Sequence, residues 1–214
     1  MFEKEKEKVL TTALRLKEYR LIALSGGNVS LRIDDGHILV TPSGMDYSEM
    51  DASDICIVDI DGNVVEGTRR ISVDTEALLY IYKNMPEVNA IIHTHQVYAT
   101  AVGAVEDKLR SVVTTLPNAT LGDVNVAPFS SAASLEMGIN SVKYLDGKRA
   151  VILKNHGVVT VGSTIKEALY AAVYLEDAAK TYILAKAIGN PVLLDQAQVD
   201  QAVEVFTHYG QDKI

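Results

Sequence analysis

Two histidines in the segment Asn89-Ala90-Ile91-Ile92-His93-Thr94-His95 stand at i and i+2, directly behind a run of apolar residues. Such a run reads as a short buried strand, and side chains two apart on a strand share a face, so His93 and His95 lie side by side. A second apolar run, Ala150-Val151-Ile152-Leu153, leads through Lys154 to Asn155-His156-Gly157 and offers a third imidazole. Three protein ligands with a fourth position left open are the arrangement of a catalytic zinc rather than a structural one. A plain alternative stands beside this reading. Strand histidines are ordinarily hydrogen-bonded core or surface residues, and in a chain with five histidines a His-x-His pair also arises by chance.

The elements needed to hold these strands can be read on either side of them. Val9, Leu10, Ala13, Leu14 and Leu16 form one apolar stripe and predict an amphipathic lead helix over residues 3–20. The turn Ser25-Gly26-Gly27-Asn28 opens a hairpin over residues 29–41 with its turn at Asp35-Gly36 and with His37 at the turn. Pro42-Ser43-Gly44 breaks the sheet, and a second strand pair follows over residues 55–65. Asp74 stands in the N-cap region of a helix that ends before Pro86. Past the His-x-His strand come a short helix over 98–105, a strand over 124–127, a helix over 132–145 and a hairpin through 162. The capping box Thr164-Ile165-Lys166-Glu167 starts the longest helix, which closes at Gly189, and a last helix over 196–206 precedes the tail His208-Tyr209-Gly210. Antiparallel hairpins with helices inserted between them predict an α+β, three-layer domain occupying residues 1–214.

With 214 residues, 48% of them hydrophobic and 22% charged, the chain has the composition of an ordinary globular domain with one core. A net charge of −8 argues against a broad nucleic-acid surface and against binding to an anionic membrane, while backbone amides can still build a small phosphate pocket. Cys56, the single cysteine, sits in an apolar run and reads as an inert core thiol. The charged start Met1-Phe2-Glu3-Lys4-Glu5-Lys6 lacks the apolar core of a signal peptide, and no window is long enough for a membrane span, which points to the cytoplasm.

Taken together and in order, Ser25-Gly26-Gly27-Asn28-Val29-Ser30, Val40-Thr41-Pro42-Ser43-Gly44, Ser72-Val73-Asp74, Ile91-Ile92-His93-Thr94-His95 and Asn155-His156-Gly157 resemble the class II aldolase/adducin family across nearly the whole chain. Chain length and the tail Phe206-Thr207-His208-Tyr209-Gly210 look most like its L-fuculose-1-phosphate aldolase branch. The resemblance implies a mostly antiparallel sheet between helical layers and a homotetramer with active sites between subunits. It also implies one zinc per subunit, held by His93, His95 and His156, stabilising the enediolate formed when a ketose 1-phosphate breaks between C3 and C4. On the same basis Asp74 is the acid that shuttles the proton at the carbon that becomes nucleophilic, and Tyr209 donates a proton near the aldehyde oxygen. Gly27, Asn28, Ser43, Gly44 and Ser72 would cradle the phosphate. Read alone, Asp74 is a helix N-cap, Ser-Gly-Gly-Asn and Pro-Ser-Gly are turns, and Tyr209 belongs to a frayed terminus.

The chain also departs from the aldolase pattern. Asp74 replaces the usual glutamate, as in the related L-ribulose-5-phosphate 4-epimerases, and draws the carboxylate back by about 1.5 Å. Val73 replaces the second serine of the phosphate signature, a hydroxyl worth on the order of 1 kcal/mol of binding. Leu78 stands where a histidine is usual, and the central-loop tyrosine is replaced near Thr114. Asn118 aligns with the acid of the epimerase branch, which counts against that branch. The adducin head domains, which resemble this fold without the zinc ligands, are a non-catalytic alternative that His93, His95, His156 and Asp74 oppose.

Overall fold

The strand that runs into the two histidines lies in the middle of the sheet. The computed structural model describes residues 2–34 and 36–207. In it, β5 (Ala90–Thr94) pairs antiparallel with β1 (Asn28–Arg32) on one side and with β9 (Gly157–Gly162) on the other. Beyond β1 lie β2 (His37–Val40), β3 (Cys56–Asp59) and β4 (Val64–Glu66). Beyond β9 lie β8 (Ala150–Leu153), β7 (Val124–Ala127) and β6 (Lys108–Leu109). Every pairing is antiparallel except β7 with β8, which run parallel because the chain returns between them through a helix.

Strand alternation separates the two faces. Ile91 packs with Val159 and Val161 against α2 (Thr75–Asn84) and α5 (Leu135–Leu145), through Leu78, Ile81, Tyr82 and Met137. Ala90 and Ile92 point the other way, against Val9, Ala13 and Leu16 of α1 (Glu3–Glu18) and Ala168 and Ala172 of α6 (Ile165–Ile188). Burying each isoleucine of this pair completely contributes about 2–3 kcal/mol. Farther along α6 the same layer takes in α3 (Val97–Val105) and α4 (Thr115–Thr120), and α7 (Gln196–Thr207) lies on α4. The result is the expected α+β arrangement of three layers. Being two residues past Ile91, His93 shares the α2 face of the sheet.

Three local readings change. Residues 115–120, to which the sequence assigns no element, form α4, and Pro117 is tolerated because it sits in the first helical turn, where its missing N–H costs no hydrogen bond. The helix expected from residue 132 starts at Leu135: Ala133 takes a left-handed φ of 59° and the Ser134 hydroxyl accepts from the Met137 amide. Only half of the capping box at Thr164 forms. The Thr164 hydroxyl accepts the Glu167 amide, but the Glu167 carboxylate turns to Ser163 and Arg149.

Candidate active site

β5 and the β8–β9 turn deliver three imidazoles to one point. Asn155 takes a left-handed φ of 57°, a conformation asparagine tolerates, and this tight turn carries His156 back over the end of β5. The ligand atoms of His93, His95 and His156 all lie within 4.8 Å of one another, and the Nε2 atoms of His93 and His95 are 3.0 Å apart. Tetrahedral zinc–nitrogen bonds place ligand nitrogens roughly 3.3 Å apart, so small side-chain adjustments suffice to hold an ion.

The protonation states suit the same purpose. His93 is 1% exposed, and its Nδ1 lies 2.9 Å from the Val158 carbonyl, so Nδ1 carries the proton and Nε2 keeps its lone pair. Burial lowers the His93 pKa from 6.5 to about 4 against the opposing pull of Asp74. Burial lowers those of His95 and His156 as well, again opposed by Asp74. All three rings are therefore neutral at pH 7, the form that ligates a metal. His156 Nδ1 is buried without a partner among the described residues, an orphaned polar atom on one of the three converging rings. On the chemistry of these donors, the site fits a divalent ion.

Their depressed pKa values give the metal-free protein a pH dependence of known sign. Between about pH 6.5 and pH 4 the unfolded chain takes up a proton at His93 that the folded chain refuses, and the lowered values of His95 and His156 act in the same direction, so stability falls as pH drops through that window. For His93 alone the slope reaches about 1.4 kcal/mol per pH unit. The metal-free protein is expected to melt several degrees lower at pH 5 than at pH 7, and a His93→Asn variant is expected to lose part of that difference. An equal or higher melting temperature at pH 5 would contradict this account of the triad.

The glycines of the two motifs serve the histidine strand directly. Gly27 has φ +109°, and a Cβ there would come within 2.5 Å of the His93 carbonyl oxygen. A Cβ on Gly157 would run into the Thr94 carbonyl oxygen and meet the His95 ring at 3.0 Å, and one on Gly26 would meet His95 Nδ1 at 3.1 Å. A Gly27→Ala substitution combines backbone strain with a main-chain collision and is expected to destabilise the protein by about 2–4 kcal/mol. Thermal melting checks it: the expected drop is several degrees, and an unchanged melting temperature would show that the β1–β5 contact is slack.

Asp74 precedes α2 but does not cap it. Its side chain makes no bond to the helix amides. Instead Oδ2 accepts from Asn28 Nδ2 and Oδ1 from the Ala133 amide, each at 2.9 Å, while the residue is 6% exposed. The carboxylate thus joins β1 to the loop before α5, and its charge is felt at all three histidines.

Of the residues expected to hold a phosphate, Asn28 is buried with its amide nitrogen on Asp74 and its Oδ1 unpartnered among the described residues. Ser72 is 7% exposed, and its hydroxyl accepts the Asp74 amide at 3.3 Å. Ser43 and Gly44 are exposed; the Ser43 amide is already bonded to the Arg70 carbonyl at 2.8 Å, its hydroxyl has no partner among the described residues, and Gly44 has φ +69° with no described atom close to where its Cβ would stand. Tyr209 lies outside the described residues. Val73 is 60% exposed, whereas Leu78 is buried in the core under α2.

Sequence reasoning missed two groups here. The Tyr47 hydroxyl donates to the Gly27 carbonyl at 2.9 Å and fixes the glycine turn from below, and burial pushes its pKa up to about 12, which keeps it protonated. The Ala133 amide owes its position to a left-handed alanine, for which the sequence carries no signal.

With this geometry in place, residues 7–183 match the family described as Class II Aldolase and Adducin N-terminal domain. The chain belongs to this family. It is 37% identical over 170 residues to an L-fuculose phosphate aldolase of Methanococcus maripaludis, covering 79% of this chain and 91% of that one. It is 29% identical to a 5-deoxy-D-ribulose 1-phosphate aldolase of Bacillus thuringiensis serovar kurstaki, over 212 residues and 99% of both chains. A solved L-fuculose 1-phosphate aldolase superposes with a TM-score of 0.89 at 33% identity, covering 94% of this chain and 95% of that one. The class II aldolase fold is thereby established, and with it a lyase of the aldolase type. Class II aldolases are metal-dependent, and the histidine triad is a group able to hold the ion. No described helix is long and apolar enough to cross a membrane.

Proposed function

We propose that the whole chain, 1–214, is one catalytic domain that cleaves a short deoxyketose 1-phosphate between C3 and C4, releasing dihydroxyacetone phosphate and an aldehyde. The observation that carries this reading is the convergence of three neutral imidazoles beside a buried, doubly hydrogen-bonded carboxylate. His93, His95 and His156 would hold one zinc. A bound zinc supplies Lewis-acid polarisation of the ketose carbonyl. Asp74 shuttles the proton at C3: as the C3–C4 bond breaks, its electron pair stays on C3 and the C4 hydroxyl gives up its proton, and one proton is delivered to C3 through the Asp74 carboxyl, which removes it in the reverse direction. Each Asp74 oxygen accepts one protein bond and keeps a further lone pair for that proton.

Asn28 orients the acid, while the Ser43 hydroxyl, Gly27, Gly44 and Ser72 line the phosphate subsite. Tyr209 assists at the aldehyde oxygen. The active form is a cytoplasmic homotetramer with sites between subunits, and it requires neither nucleic acid nor membrane.

L-fuculose 1-phosphate, giving L-lactaldehyde, is the first candidate substrate. A second reading, 5-deoxyribulose 1-phosphate giving acetaldehyde, is favoured by the relative aligned over 99% of both chains. Asp74 in place of glutamate keeps L-ribulose-5-phosphate 4-epimerisation as a further alternative. Incubating the zinc-loaded protein with each phosphate and identifying the aldehyde discriminates among them. Lactaldehyde assigns the first substrate and acetaldehyde the second. Interconversion of pentulose phosphates without any aldehyde would overturn the aldolase reading.

A further inference from the structure

Zinc-bound histidines ordinarily keep their orientation through a hydrogen bond from the nitrogen that faces away from the metal. His93 has that bond, to the Val158 carbonyl. His95 does not: its Nε2 faces His93, and its Nδ1 has no protein partner among the described residues. What aims its ring must come from packing and from the backbone on either side. Packing is supplied by Gly26 and Gly157, which let the ring lie flush between them.

The backbone is gripped from α6. Gln96, the next residue, is fully buried; its Oε1 accepts from the Thr94 hydroxyl at 2.7 Å, and its Nε2 donates to the Ala172 carbonyl at 3.2 Å. One turn farther along α6, on the same face, the Glu176 carboxylate accepts the Tyr98 and Ala99 amides, both at 2.9 Å. Those amides open α3, whose own N-cap residue, Gln96, makes no capping bond. A carboxylate partly withdrawn from water is costly: burial raises the Glu176 pKa, and the charge-assisted bonds from the Tyr98 and Ala99 amides pull it back in part. The clamp closes within four residues of His95 and ties that end of β5 to the longest helix.

We infer that Glu176 is a positioning residue for the metal site: with Gln96 it locks the start of α3 onto α6 and so fixes the direction in which His95 presents its imidazole. This inference rests on the reading that the triad holds a metal. It gives the remote helix α6, which contributes no histidine, a part in setting metal affinity. A carboxamide at 176 has the same size but can accept only one of the two amides, and its own N–H₂ would face the other.

The test is zinc affinity of the full-length protein, measured by competition with a chromophoric chelator for the parent, Glu176→Gln and Asp177→Asn, with cobalt(II) absorption at saturating metal as the second readout. Asp177 is exposed on the same helix and controls for the lost charge. Glu176→Gln is expected to weaken zinc binding about 10–100-fold and to alter the cobalt bands, while Asp177→Asn matches the parent. Affinity within twofold of the parent would overturn the inference. So would weaker binding with an unchanged cobalt spectrum, which would reduce Glu176 to a stabiliser of α3. Should Glu176→Gln not fold, Gln96→Met decides on the same two readouts, with the same expectation. A parent protein that binds no zinc would sink the metal reading itself, a result distinct from a parent that binds and a variant that binds equally well.

Discussion

Replacing His93 and His95 together by alanine is expected to take the protein from near one zinc per chain to background and to abolish ketose phosphate cleavage. The two Nε2 atoms lie 3.0 Å apart, so they act on one point, and His156 alone leaves a single imidazole there. Losing the Lewis acid removes several kcal/mol of transition-state stabilisation, a fall in kcat on the order of 10³-fold or more. Both changes shorten side chains at the end of β5, beyond the Ile91 and Ile92 core, so circular dichroism is expected to show the folded protein. Metal analysis and turnover on the same sample check the expectation. A double variant that keeps stoichiometric zinc would place the metal elsewhere, and one that keeps turnover would remove the need for it.

The second large effect is expected at Asp74. Asparagine has the same shape but can accept only one of the two bonds made by Asn28 and Ala133, and it cannot exchange a proton. A positioned general acid or base contributes typically about 10²–10⁴-fold, so Asp74→Asn is expected to lower kcat by that factor while zinc content stays at the parent level. Turnover within threefold of the parent would strip Asp74 of a chemical role and leave it as the brace between β1 and the loop before α5.

The parts of the site carried by local periodicity were legible in the sequence. Alternation in β5 fixes the common face of His93 and His95, and the apolar run of β8 leading into Asn155-His156-Gly157 reveals the third ring. What stayed hidden depends on contacts far apart in the chain. Asp74 reads as a helix cap until the fold brings Asn28 and Ala133 to it from 46 and 59 residues away. The glycines of Ser-Gly-Gly-Asn read as a turn, while in the structure Gly27 also clears the His93 carbonyl. Pro117 discourages a helical reading of residues 115–120, although a proline in a first turn costs nothing. Glu176 looks like one more charge on a long helix, because nothing in its neighbourhood along the chain names the amides of Tyr98 and Ala99 as its partners.

The most direct measurement is the release of dihydroxyacetone phosphate from a ketose 1-phosphate, followed with a coupled reductase before chelation, after chelation and after return of zinc. Release that stops with the chelator and resumes with zinc is the expected result for L-fuculose 1-phosphate or 5-deoxyribulose 1-phosphate. Release that continues undiminished in fully metal-free protein would contradict the central claim.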